Sequence, residues 1–233
     1  MKAPETNEDF IQWYEDCWAD RDEVEYPKMF GAIDEGVFTL DQTDAIQAWM
    51  ESVKESEGKT DEGEADPNWG PMGVRAAPPS PDYPYWTYVT SGLSNPFTVV
   101  PGEEFPDESP SGIGYEMVIH TPEEAKWPVF RLLDMMAYNL VTRSLFAINH
   151  RYPVEGTLDG GDSKLGGFVF VRDPSRPDHF ALPSGKVELL TLVGVTKNEM
   201  AFARSNGMDK LMEKLVAAGT GYITHPNRDE VKL

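Results

Sequence analysis

A chain of 233 residues with 40% apolar side chains, 19 prolines and 20 glycines can form one domain with a sizeable core, or one domain and a small appendage, with much loop. Its formal charge of −20 repels phosphate backbones and anionic lipid surfaces, which argues against nucleic-acid binding and leaves a basic protein as an allowed partner. No stretch approaches the roughly 20 apolar residues of a membrane span, and the single cysteine, Cys17, excludes an internal disulfide, so a cytoplasmic protein is expected.

The charge is uneven. Residues 1–70 carry 20 acidic and 5 basic side chains, while residues 71–233 carry 20 and 15. Thr6-Asn7-Glu8-Asp9 opens a predicted helix through about Asp20, with Thr6 placed to accept from an orphan backbone N–H. Phe10, Trp13, Tyr14, Cys17 and Trp18 share one face of it at three-four spacing. A second helix is predicted from about Asp41 to Glu55. The pattern then dissolves into charged, Gly- and Pro-rich sequence, so the expected organisation is an acidic helical extension over 1–60, a linker or loop over 61–82, and the main domain over 83–228.

Tyr85 to Thr90 reads as a strand. So does Gly114 to His120, which sends Tyr115, Met117 and Ile119 one way and Glu116, Val118 and His120 the other. Thr121-Pro122-Glu123-Glu124 has the form of a capping box and predicts a helix from there, kinked or restarted at Pro128. An apolar stripe of Val129, Leu132, Leu133, Met136, Ala137, Leu140, Val141 and Leu145 carries it to about Phe146–His150. A glycine-rich loop follows, then a short strand at Phe168–Val171. Val187–Val195, apolar at nearly every position except Glu188, predicts a central strand covered on both faces. Thr196 and Glu199 cap a short helix, another spans about Met208 to Ala217, and Tyr222–Thr224 is a candidate last strand. Helices alternating with such strands give an α+β fold, a mixed β-sheet with helices packed on it.

The residues offer little chemistry. Four histidines without helical zinc spacing and one cysteine give no metal motif, and no cofactor is expected. Cys17, flanked by Glu15, Asp16 and Asp20, reads as a packed thiol with a raised pKa. The Pro-Ser-Gly turns at Ser111 and Ser184 lack the nucleophile-elbow pattern. Glu116 and Glu188 interrupt apolar strands, where an unpaired carboxylate is costly. They must face solvent or pair with arginines such as Arg131, Arg143 or Arg172. Trp86, Tyr88, Tyr115, Glu116, His120, Asp173 and Glu188 are the candidate binding-surface residues.

Several blocks together resemble the suppressor of fused family, in its amino-terminal domain. They are Trp86 to Ser94, Pro110 to Met117, Trp127-Pro128, Phe180 to Glu188, Leu192 to Thr196, and Tyr222 to Thr224 followed by Arg228. The resemblance implies a mixed sheet with packed helices and a role in protein binding. Animal members hold a transcription factor through a peptide laid as a strand between two domains. With five residues after 228, the second domain of that clamp is not expected here. Shorter stand-alone members are similar to bacterial immunity proteins that neutralise a partner toxin, and an acidic chain would suit a basic toxin. Two readings therefore stand. A protein-binding module should show a partly apolar face or an unpaired strand edge. A carboxylate-dependent hydrolase should show Glu116 and Glu188 converging in a pocket.

Overall fold

A computed structural model describes residues 1–34, 38–39, 72–96 and 99–233. The helix predicted over 41–55 lies outside the described residues, as does the acidic run before Met72. Helix α1 (Asn7–Ala19) is capped by the Thr6 side chain, which accepts from the Asp9 N–H. It continues into a π-helical segment, Asp20–Glu25, and then α2 (Tyr26–Phe30). The remaining helices are α3 (Trp127–Thr142), α4 (Lys197–Asn206) and α5 (Met208–Ala217).

The strands are β1 (Phe38–Thr39), β2 (Gly73–Ala77), β3 (Trp86–Ser91), β4 (Pro110–Thr121), β5 (Arg151–Pro153), β6 (Gly167–Val171), β7 (His179–Leu182) and β8 (Gly185–Val195). They form one sheet in the order β1-β2-β3-β4-β8-β6-β5, with β7 added to β8. The β4–β8 pair is parallel and the others are antiparallel, so the sheet is mixed. Strand β2 falls in the Pro/Gly-rich stretch read as free of regular structure. Its pairing with β3, from Gly73↔Ser91 to Ala77↔Thr87, overrides the poor strand propensity of that run.

Side-chain alternation sets the layers. Tyr115, Met117 and Ile119 of β4 meet Val74, Tyr88, Leu190 and Leu192 on one face, where α3 packs Val129, Leu132, Leu133 and Met136. The other face is covered twice. Tyr26, Met29 and Phe30 pack on Val89, Val118, Phe180 and Leu189, while Leu211, Met212 and Leu215 of α5 pack on Val169, Val193 and Val195. Strand β8 contributes to all three clusters, which is why its sequence is apolar almost throughout. Burying Tyr26, Met29 and Phe30 contributes an upper bound of about 1.5–3 kcal/mol each, and this apolar contact anchors the amino-terminal segment to the sheet.

Two boundaries depart from the sequence pattern. The Thr121-Pro122-Glu123-Glu124 run does not start a helix. Thr121 ends β4 opposite Trp86, its hydroxyl donates to the Glu123 carbonyl at 2.7 Å, and the Ala125 N–H donates to the Tyr88 hydroxyl at 2.7 Å. Pairing with β3 thus consumes the capping residues, and α3 begins at Trp127 with Pro128 in its first turn. That helix stops at Thr142, because Arg143 adopts a left-handed φ of 56°. Tyr222–Thr224 gives one bridge, His120↔Ile223, rather than a strand. By contrast the Thr196–Glu199 capping box forms as its spacing dictates.

Candidate functional site

Glu116 is wholly buried at the β3–β4 junction. It accepts from the Thr90 hydroxyl at 2.5 Å, the Ser94 hydroxyl at 2.6 Å, and the backbone N–H groups of Ser94 at 2.9 Å and Gly92 at 3.1 Å. The Arg21 guanidinium stands 3.8 Å away. Arg21, also 0% exposed, donates to Asp22 at 2.8 Å and to Ser91 at 2.9 Å, and Arg75 donates to Asp22 at 3.1 Å. The wider π turn brings the consecutive side chains of Arg21 and Asp22 inward together. Burial pushes the Glu116 carboxyl above its ordinary value against the pull of Arg21 and its hydrogen bonds. The counter-ion is Arg21, not an arginine of the main domain. Each charge is paired and each oxygen satisfied, so the cluster locks the amino-terminal segment in register.

Glu188 behaves differently. Its side chain is 43% exposed and pairs with Arg172 at 3.6 Å. Alternation places it with Leu190 and Leu192, on the face opposite that of Glu116. The two carboxylates therefore do not converge.

A second polar group joins β3, β4 and the turn after β6. His120 Nδ1 lies 2.9 Å from the Thr87 hydroxyl, and Nε2 lies 3.5 Å from Asp173 Oδ2. Burial lowers the His120 pKa, against the opposing pull of Asp173. Hydroxyl, imidazole and carboxylate stand in the order of a nucleophile relay. Yet Thr87 is 2% exposed and His120 0%, each sealed within the β3–β4 pair, where no substrate can approach. Among the described residues, no group of three His, Cys, Asp or Glu could hold a metal ion. Cys17 is buried, and burial pushes its thiol up to about 11.

Trp86 is half-buried and stacks on Tyr88 at 6.4 Å between ring centres. Tyr88 and Tyr115 are core residues with polar tips. The Tyr115 hydroxyl donates to Asn139 at 3.0 Å and accepts from the Phe146 N–H at 2.9 Å. Burial raises its pKa to about 12. Tyr115 therefore ties the end of α3 to the segment that leads into β5.

That junction forms a groove of about 420 Å³ between α3 and β5, lined by Asp134, Tyr138, Val141, Tyr152, Val154 and Glu155 among others. Its aromatic wall is built on Phe146, which stacks on Phe170 at 4.6 Å and on Tyr138 at 5.7 Å and meets Tyr152 edge-on at 5.5 Å. Tyr138, Val141 and the neighbouring Leu145 remain 37%, 40% and 53% exposed. Strand β5 ends the sheet, and no strand among the described residues pairs with its outer side. His150 and Val154 bond to β6, so alternation turns the Arg151 N–H and the Arg151 and Pro153 carbonyls outward. None of these groove residues was among the candidate binding-surface residues read from the sequence. The available signal was an apolar stripe too wide for one buried face, in which Val141 and Leu145 were placed with the residues of a sheet-covering helix.

No helix of the described residues is long and apolar enough to cross a membrane. No curated protein matches the chain. In structure it is similar to a chain from the crystal structure of the Sufu–Fu complex, at 18% identity and TM-score 0.55, over 79% of this chain and 91% of that one. Drosophila Suppressor of Fused is similar at 18% identity and TM-score 0.57, over 85% of this chain and 53% of that one, so the chain spans about half that protein's length. A putative suppressor of fused homologue from Neisseria gonorrhoeae matches at 18% identity and TM-score 0.48, over 80% and 96%. The sequence model of the suppressor of fused protein family matches residues 68–229, well over half of the chain, and the chain belongs to that family.

Proposed function

We propose that the chain is a non-enzymatic protein-binding module that takes an extended segment of its partner along the outer edge of β5, in the groove against α3. One observation carries this reading: a strand edge unpaired among the described residues and an exposed apolar groove coincide at one place. An added strand would gain main-chain bonds from Arg151 and Pro153, and its alternate side chains would enter the pocket beside Tyr138 and Val141. The outward bonding groups are few, since Pro153 has no N–H, so the groove must supply much of the contact. That one similar fold comes from a Sufu–Fu complex supports a role in protein assembly.

The acidic balance, −20 overall, with Glu155 on the groove beside the paired Asp134 and Arg131, favours a partner segment that is apolar with basic residues. The specific form of the proposal is an immunity protein that neutralises a basic toxin in the cytoplasm. Co-expression with a toxin encoded beside it tests this form. The wild-type chain should restore growth, and Val141→Asp, which places a charge in the groove, should not. Rescue by Val141→Asp equal to wild type would remove the groove from the account. Absence of rescue by either protein, both being expressed, would remove the toxin and leave another protein partner.

A further inference from the structure

On the face opposite the α3 groove, a second cavity of about 460 Å³ opens where the residues before β3, the turn after β6 and the turn after α5 meet. Its walls include Tyr83, Tyr85 and Tyr222, its charges are Asp82 and Asp173, and Val216 and Ile223 give it an apolar side. No lysine or arginine lines it.

The two carboxylates differ in exposure. Asp82 is exposed and makes no ion pair or side-chain hydrogen bond among the described residues. Asp173 is 6% exposed. Although burial pushes its pKa up, the facing His120 ring and the bonds from Ser175 hold it below the ordinary value. Its Oδ1 accepts from the Ser175 N–H at 2.9 Å and hydroxyl at 2.7 Å, whereas Oδ2 faces only the His120 ring at 3.5 Å. The Tyr222 phenol is pushed up by burial and by the negative charges of Asp173 and Asp209. The rings are suited to a cation as well. The Arg176 guanidinium sits over the Tyr83 ring at 3.3 Å from its centre, bonded to the Met29 carbonyl, so one face of that ring is already taken and Tyr85 and Tyr222 offer the remaining ring surface.

We infer that this cavity receives a basic side chain, lysine or arginine, presented by a protein partner. The cationic head would lie between the Asp82 and Asp173 carboxylates and the tyrosine rings, with its methylene stem along Val216 and Ile223. The volume falls within the range of about 300–1,000 Å³ typical of ligand sites. This deepens the protein-binding reading by naming a second contact, and its test needs no knowledge of the partner.

Isotope-labelled full chain is titrated by NMR with Nα-acetyl-lysine amide and with Nα-acetyl-arginine amide. Nα-acetyl-norleucine amide and Nα-acetyl-glutamate amide serve as neutral and anionic controls. At least one basic probe should give saturable shifts at the amides of Gly219 to Ile223. Asp82→Asn should weaken them about fivefold, as expected for one carboxylate near the surface, and Asp82→Glu should largely restore them. Neither basic probe saturating below about 50 mM, an equal response to norleucine, or shifts unaffected by Asp82→Asn would overturn the inference. None of these residues lines the β5 groove, so such a failure leaves the reading of that groove intact, and failure of the groove leaves this test unchanged.

Discussion

Replacing Arg21 by methionine isolates the energetics of the buried charge cluster. Arg21 and Glu116 are both 0% exposed and 3.8 Å apart. Asp22 keeps Arg75 at 3.1 Å when Arg21 is removed, but Glu116 loses its cation. Ser91 and Ser94 lose a donor at the same time. Breaking a buried pair from one side costs about 3–5 kcal/mol, because the remaining charge is left uncompensated. For a chain of this size each kcal/mol lowers Tm by about 2–4 °C, so Arg21→Met should melt about 6–20 °C below wild type. The burial-raised pKa of Glu116 should rise further without its cation, so the deficit should shrink on moving from pH 7 to pH 5, where neutralisation relieves the carboxylate. In the double variant with Glu116→Gln, the two losses should fall short of additive by about 1–3 kcal/mol. Thermal and urea unfolding, followed by tryptophan fluorescence, measure all four proteins. A loss below about 1 kcal/mol in Arg21→Met, or an additive double variant, would refute the view that this pair holds the amino-terminal segment on the sheet.

Three further outcomes follow from single residues. Burial keeps the His120 pKa below 6.5 in the folded chain, so the unfolded chain takes up its proton first. Acidification below pH 6.5 should therefore erode stability through this group until its folded pKa is passed. Glu116, with its pKa raised by burial, acts in the opposite sense above its ordinary 4.5, so the test is the wild-type unfolding curve against that of His120→Gln. The variant should lose less over the same interval, and equal slopes would contradict the assignment. Gly92→Ala should cost about 1–3 kcal/mol by urea unfolding, since Gly92 has φ +126° and an added Cβ would stand 2.9 Å from the Met72 Cα. Tyr115→Phe should cost about 1–3 kcal/mol by leaving Asn139 and the Phe146 N–H without their partner. It should also speed hydrogen exchange at the Phe146 amide, beside the groove.

Much of the layer structure was legible because it rests on local pattern. The Thr196–Glu199 box, the alternation of Tyr115, Met117 and Ile119, and the two-sided apolar run of β8 each have a physical cause confined to a few neighbouring residues. What the sequence concealed depends on partners distant along the chain. Strand β2 exists through pairing with β3, although Ala76-Ala77-Pro78 has poor strand propensity. The helix start at Thr121 was lost to strand pairing with Trp86. The counter-ion of Glu116 came from a helix 95 positions earlier, and the costly carboxylate in an apolar strand was a sound signal whose partner was misassigned. Of the candidate surface residues, Tyr88, Tyr115, Glu116, His120 and Asp173 are buried, because aromatic and polar residues in strands and the turns beside them serve the interior as readily as the surface. The exposed apolar residues of α3 look like core in a helical stripe, and only the position where β5 stops covering them separates the two.

The most direct measurement places a photo-cross-linking amino acid at Val141 of the full chain in its native cells, with the same group at Lys210 on the exposed side of α5 as the control. Docking in the β5 groove predicts a protein adduct at position 141, lost when Tyr138 is changed to aspartate, and none at 210. Cross-linking at 210 but not at 141, or an adduct at 141 indifferent to Tyr138→Asp, would contradict it.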